Sequence, residues 1–288
     1  MATIDYATKY SSVVDERFKV EAKSEQCVNK DYDFVGAKTV KVYNISTAPM
    51  TDYTRSGLSR YGNPEELDAT TQEMTMTQDR SFTFTIDKMN EDETMGALNA
   101  GKALARQLRE VVIPEIDTYR FTKMATGAGT KAEGVAITKD NIYDLITTGT
   151  ETLDDKEVPT EGRFIVITPA VHKAMKLSKD IVLDTEVGQE MRIRGVVAIY
   201  DGMPIIKVPS SRLPENSGFL IGHPVATTAP VKLAEYKVHT DVPGISGSLV
   251  EGRIYHDTFI LNNKKDDIYF QPIAEEPIPE EPIPGEEE

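Results

Sequence analysis

Cysteine is almost absent from this sequence, and a lone Cys27 excludes an internal disulfide and suits a reducing compartment. Histidine is sparse too. His172, His223, His239 and His256 are dispersed, with no pair at helical spacing, so no metal site is indicated and His172 reads as a surface helix residue. No apolar run reaches bilayer length, and MATIDYATKY lacks the pattern of a secretory signal, so the chain is expected to stay in a cytoplasm with no membrane partner. Basic residues are outnumbered by acidic ones, 32 to 47, and the net charge of −15 argues against a free-standing binder of nucleic acid or anionic membrane. Catalytic motifs are missing as well. Gly127, Gly129 and Gly134 spell neither GxGxxG nor a P-loop, and GISGS at 244–248 misses the nucleophile-elbow spacing by one residue. With no convergent polar cluster, neither catalytic residues nor a cofactor are expected, and an enzyme on an α+β scaffold is the weakest reading. Hydrophobic content is only 39% over 288 residues, so part of the surface should stay extended or wait for a partner.

What is present is organised around Asn90–Met124. Met95, Leu98, Gly101, Leu104, Leu108, Val111 or Val112, Ile116 and Tyr119 recur every three or four residues, which is one apolar stripe on a helix. Asn90 can cap it, and Glu91, Asp92 and Glu93 suit the positive end of its dipole. Continuous from Glu91 to Met124, such a helix would be roughly 50 Å long. Pro114 removes a donor inside it and should bend the axis there. The stretch reads as a strut.

Before the strut, residues 1–37 read as an N-terminal arm that orders against something else, or as a frayed terminus. KTVKVYNI at 38–45 is a strand with two usable faces. A long polar excursion with turn-formers follows, and then TMTQDRSFTFTIDK puts Phe82, Phe84 and Ile86 on one face of a second strand. So few apolar residues around so long a loop imply a β-ribbon projecting from the core. After the strut, NIYDLITT is a short amphipathic helix, GRFIVITP a buried strand, and Pro169 opens another helix. GVVAIYDGMPIIKVP is a hairpin turning at Asp201-Gly202, with Pro204 directing its second run toward an edge. VKLAEYKVHTD and SLVEGRIYHDTFILNNKKDDIYFQ are long strands expected to form the sheet under the strut. EEPIP occurs twice in the last fourteen residues, which carry seven carboxylates, so the end reads as an extended, self-repelling tail.

Taken in order, TQDRSFTFTIDKMNEDET running into the helix, VVIPEIDTYRFTKMA ending it, GRFIVITPAVHKAM, GVVAIYDGMPIIKVP and GRIYHDTFIL resemble the major capsid protein of tailed bacteriophages. That fold is shared with encapsulin shells and the floor of herpesvirus capsids. The resemblance spans roughly residues 30 to 271 and rests on the order and spacing of structural patterns. It implies an α+β tailed-phage capsid fold with an arm (1–37), an extended β-ribbon loop (38–88) and a spine helix opening a peripheral domain (89–130). An axial domain (131–231), returning peripheral strands (232–271) and an acidic, Pro-rich disordered tail (272–288) would follow. The implied function is a structural subunit that self-assembles as pentamers and hexamers into an icosahedral head around double-stranded DNA. An encapsulin-type compartment enclosing cargo enzymes is the alternative. Implied partners are the chain itself, a portal, a maturation protease, and DNA contacted non-specifically.

Two departures from the family pattern matter. Some relatives cross-link through a loop lysine, whereas residues 47–87 contain only Arg55, Arg60 and Arg80, and arginine cannot serve as that nucleophile. Some relatives also carry about a hundred residues of fused scaffold, a separate domain in size. This chain reaches its arm at once, so a separate scaffolding protein is expected. Arg55, Arg60, Arg80, Phe82 and Phe84 are the candidate assembly contacts, and Pro114 the candidate hinge. Lys102, Arg106 and Arg109 form a basic stripe that could face DNA or scaffold in the lumen, or be a solvated face beside Glu110 and Glu115.

Overall fold

A computed structural model describes residues 22–32, 34, 38–64, 66–93, 99–178, 196–240 and 242–274. Most of the arm, Met95 and Leu98 of the expected stripe, and the EEPIP repeats lie outside the described residues. The chain divides into two units, one formed by 1–123 with 224–265 and the other by 124–223 with 266–288.

In the first unit, strand β1 (Thr39–Ile45) pairs antiparallel with β2 (Ala69–Thr75), Val40 opposite Met74 and Ile45 opposite Ala69. The sequence pattern places Phe82, Phe84 and Ile86 in that ribbon. The structure corrects this. They lie on β3 (Gln78–Asp87), which pairs with β11 (Gly247–His256), and β11 pairs in turn with β10 (Val231–His239). An alternating strand pattern shows which residues share a face but not which strand lies alongside.

A short helix α1 (Lys88–Glu93) follows β3. The spine begins at α2 (Ala100–Gln107), passes through a π-helical turn (Leu108–Val112), and continues as α3 (Ile113–Gly127). Its cap is Asn99, whose side chain accepts hydrogen bonds from the Gly101 and Lys102 N–H groups; Asn90 lies within α1 instead. Ala100, Leu104, Leu108, Val112, Ile113 and Ile116 pack on Ile86, Tyr236, Val250 and Ile254, with Phe82 and Phe84 beside them. The returning strands 231–239 and 247–256 therefore do supply the sheet under the helix. The π turn explains why Val112 is buried while Val111 stays 45% exposed: one extra residue in the turn advances the stripe. The Ile113 N–H donates to Leu108 O, five residues back, so the ladder is already irregular where Pro114 withholds its own donor.

The second unit is built on a six-stranded sheet in the order β4 (Thr130–Lys131), β13 (Ile268–Pro272), β8 (Ser217–Gly222), β5 (Phe164–Ile167), β7 (Met203–Lys207), β6 (Val196–Tyr200). Helices α4 (Ile142–Asp155) and α5 (Pro169–Leu177) contribute Ile142, Ile146, Leu153, Val171 and Met175 to its core, with Ile165, Ile205, Phe219 and Ile221 from the strands. The β6–β7 turn holds Asp201 and Gly202 at φ of 48° and 73°, the left-handed pair a two-residue hairpin requires. Four expectations need correcting here. Pro204 lies on an internal strand, tolerated because pairing with β5 begins only at Ile205. Strand 268–272 joins this sheet rather than the returning strands, pairing with β8 and β4. Pro272 therefore ends a strand instead of opening the tail, and α4 extends to Asp155, beyond the expected Thr148.

Candidate functional site

Beyond its packed base the ribbon is a surface. Val40, Val42, Met74 and Met76 sit with Phe34, Phe259 and Leu261 in a small cluster, and Phe34 stacks on Phe259. The Gln72 side chain spans this base, its amide nitrogen donating to Ile260 O (2.8 Å) and its oxygen accepting from the Asn262 N–H (2.8 Å). Past it, the hydrogen bonds of the described loop residues run within the loop itself. The Thr54 N–H donates to Arg60 O, the Thr51 hydroxyl to Tyr61 O, and Tyr53 meets Tyr61 edge-on. Apolar side chains there face outward: Met50 is 100% exposed, Leu58 99% and Tyr61 86%, with Tyr43, Ile45, Tyr53 and Leu67 also exposed. That concentration is what a docking surface looks like in a single chain.

The sequence-derived contacts divide. Arg55 and Arg60 stand on this exposed loop, Arg60 Nε donating to Gly57 O at 3.2 Å. Arg80 lies on β3 and pairs with Glu115 of the spine at 2.6 Å. Phe82 and Phe84 are half-buried within their own unit, Phe82 stacking on Tyr236, so they serve the core before any neighbour. In the basic stripe, Arg106 pairs with Glu110 at 2.9 Å one turn on, while Lys102 and Arg109 are exposed. Sequence reasoning singled out the loop's arginines and missed its apolar side chains, Leu58 and Met50 above all. Their signal was present: isolated apolar residues amid turn-formers, with nothing nearby to cover them.

Two buried polar clamps, unforeseen from the sequence, hold α3. Asp117 is fully buried and accepts from the Lys23 and Ser24 N–H groups and from the Ser24 hydroxyl (2.6 Å). Arg120 beside it donates to Ser24 Oγ and to Glu25, each at 3.0 Å. Burial raises the Glu25 carboxyl pKa, but the Arg120 and Lys30 charges outweigh it and hold the group below its usual value. Cys27, fully buried next to this clamp, has its thiol pushed well up by burial and by Asp117, which leaves it a poor nucleophile. The second clamp is Asp257. Its carboxylate accepts from the Thr77 N–H and hydroxyl, the Thr258 N–H and the Tyr119 hydroxyl, all within 2.9 Å. Burial and this carboxylate raise the Tyr119 pKa to about 12. His256, edge-on to Tyr119, is buried with an unpartnered Nδ1, and burial followed by the Arg120 charge lowers its pKa to about 4. These groups join chain segments that lie far apart in the sequence. Among the described residues no group of three or more His, Cys, Asp or Glu could hold a metal ion. No described helix is long and apolar enough to cross a membrane.

The sequence matches no protein-family model and no curated protein. Its fold does match solved structures. A structure from Mycobacterium phage Che8 superposes with a TM-score of 0.67 at 15% identity, covering 87% of this chain and 90% of that one. The capsid of cyanophage P-SCSP1u gives 0.66 at 14% identity, covering 87% of each chain. A virus-like particle from Pyrococcus furiosus gives 0.58 at 10% identity, covering 93% of this chain and all of that one. The chain has the α+β fold of phage capsid structures.

Proposed function

We propose that this protein is the shell subunit of a tailed-phage head, a structural protein that self-assembles as pentamers and hexamers around double-stranded DNA. The observation that carries this reading is a fold match to a phage capsid along nearly the whole of both chains. The exposed apolar loop supports it, because a monomer leaves those side chains in water. In this reading the ribbon loop at 38–75 reaches onto the next subunit, 131–231 is the axial domain, and 89–130 with 232–271 form the peripheral domain. Arg55 and Arg60 make polar contacts around the loop's apolar side chains, and the stripe of Lys102, Arg106 and Arg109 faces the lumen. The shell assembles in a bacterial cytoplasm with a separate scaffolding protein, a portal and a maturation protease, and ends in the virion. Many weak contacts of this kind become strong together through copy number.

The test is electron microscopy and sedimentation of the expressed protein at micromolar concentration, alone and with scaffold. Pentamers, hexamers or closed shells are expected. A strictly monomeric species under both conditions would overturn the proposal. The match to the Pyrococcus furiosus particle supports a second reading, an encapsulin-type shell around cargo enzymes. The contents of particles purified from the native source separate the two: packaged DNA for a phage head, folded enzymes for a compartment.

A further inference from the structure

The second unit holds a cleft of about 500 Å³ that the assembly reading leaves unused, lined by Thr168 and Ala170 at the start of α5, by Leu213, Pro214 and Ser217, and by Ala274. Three independent features meet there. The first is an uncompensated helix start. Thr168 Oγ1 accepts from the Val171 N–H at 3.3 Å, but the Ala170 N–H is a first-turn donor with no partner inside the helix. The first turn of α5 has no acidic residue, and its charges further on are Lys173 and Lys176. The second feature is Ser217, only 7% exposed, whose buried hydroxyl has no hydrogen-bond partner among the described residues. The third is the exit of the chain. Pro272 pairs opposite Ser217 at the end of β13, and the Ile273 N–H donates to Asn216 O at 2.7 Å. That bond delivers Ala274 to the cleft wall, and the next residues are Glu275, Glu276, Pro277, Ile278 and Pro279.

We propose that this first EEPIP repeat docks in the cleft of its own chain. A carboxylate of Glu275 or Glu276 meets the Ala170 N–H and the Ser217 hydroxyl, and Ile278 lies against Leu213 and Pro214. The reach suffices, since five extended residues span about 17 Å. Tethering at Ala274 gives the repeat a high effective concentration, so a weak contact is enough. The prolines restrict the segment beforehand, which lowers the entropy lost on docking. Glu215, also on the cleft wall, opposes the carboxylate and keeps the contact weak enough to open. The inference stands whether or not the shell reading does.

The test compares the full chain with a chain ending at Ala274, both as dilute unassembled subunit, by amide exchange at Ala170. The full chain should exchange about fivefold more slowly, as befits one carboxylate at a helix start. A synthetic peptide of residues 275–288 should restore the protection to the shortened chain, and high salt should weaken it. The same peptide with all four Glu of the two repeats replaced by Gln should not restore it. If the shortened chain fails to fold, Glu275→Gln with Glu276→Gln in the full chain should show the same faster exchange. Equal rates in the full chain and in these variants would overturn the proposal, as would equal rescue by the Gln peptide. Protection that disappears on dilution would assign the cleft to a neighbour's tail and overturn docking within one chain.

Discussion

Arg120 is 1% exposed, and its Nη1 donates to both the Ser24 hydroxyl and Glu25. The buried guanidinium is tolerated because Nη1 meets these two acceptors, while Nε has no partner among the described residues. Arg120→Met keeps much of the volume but takes a donor from Glu25 and from the Ser24 hydroxyl, so the unassembled subunit should lose about 1–3 kcal/mol. The measurement is the denaturant midpoint, with the slope unchanged. His256 sets a different test. Besides Arg120, the charged groups acting on it are Asp257 and Glu115, which favour its protonation, and Arg80, which opposes it. Its pKa is lowered on folding, from 6.5 to about 4. Between those values the unfolded chain binds a proton that the folded one does not, so stability falls as pH falls across that window and levels off below about pH 4. The full loss is about 3 kcal/mol, and His256→Gln should flatten the stability curve between pH 6.5 and 4. Glu25, held below its usual 4.5, contributes stability that is lost only in stronger acid, so the two effects separate along the pH axis.

At the scale of the element, the spine has a weak place and firm ends. The π turn at Leu108–Val112 and the missing donor of Pro114 fall within one stretch. Before that stretch Leu104 anchors the helix; after it Ile116 packs on the same core, and Asp117, Tyr119 and Arg120 are clamped. A change of helix direction would therefore concentrate at 108–114, where the hydrogen-bond ladder is irregular and the helix is held by the apolar side chains of Leu108, Val112 and Ile113. If a rounded precursor shell expands on maturation, the helix axes before and after residue 114 should differ between the two particles. Pro114→Ala should reduce that difference while leaving pentamers and hexamers able to form. Identical bends in both particles, with the variant expanding normally, would make Pro114 a fixed bend fitted to the sheet.

For the whole molecule, assembly should be separable from folding. Leu58 touches almost nothing in its own chain, so Leu58→Asp should shift subunit stability by no more than about 0.5 kcal/mol. The same change puts a charge where a neighbour would bury an apolar side chain, and shells should fail to form. Normal shells from this variant would remove Leu58 from the contact. Covalent linkage is a separate matter. With no lysine from 47 to 87, mature particles should run as a single chain-length band on denaturing gels without reductant. A ladder of covalent oligomers would direct attention to Lys38 or Lys88 instead.

Most individual elements are legible in local patterns of the chain. Alternation marked β1, β3, β10 and β11, a continuous apolar run marked β5, Asp201-Gly202 marked its hairpin, and the three-to-four-residue stripe marked the spine. Each is a pattern among near neighbours, and local sterics and solvation fix it wherever the segment ends up. Which elements pair is set by long-range packing. Only the folded chain shows that β3 lies beside β11 and not β1, that 268–272 completes the other unit's sheet, and that Asn99 rather than Asn90 caps the spine. Long-range packing also sets the clamps, because Ser24 is 93 residues from Asp117 and Thr77 is 180 from Asp257. No local periodicity carries such information. Those polar groups meet because burying any one of them alone would leave a charge or a donor without a partner, a cost that exists only once the surrounding chain has excluded water.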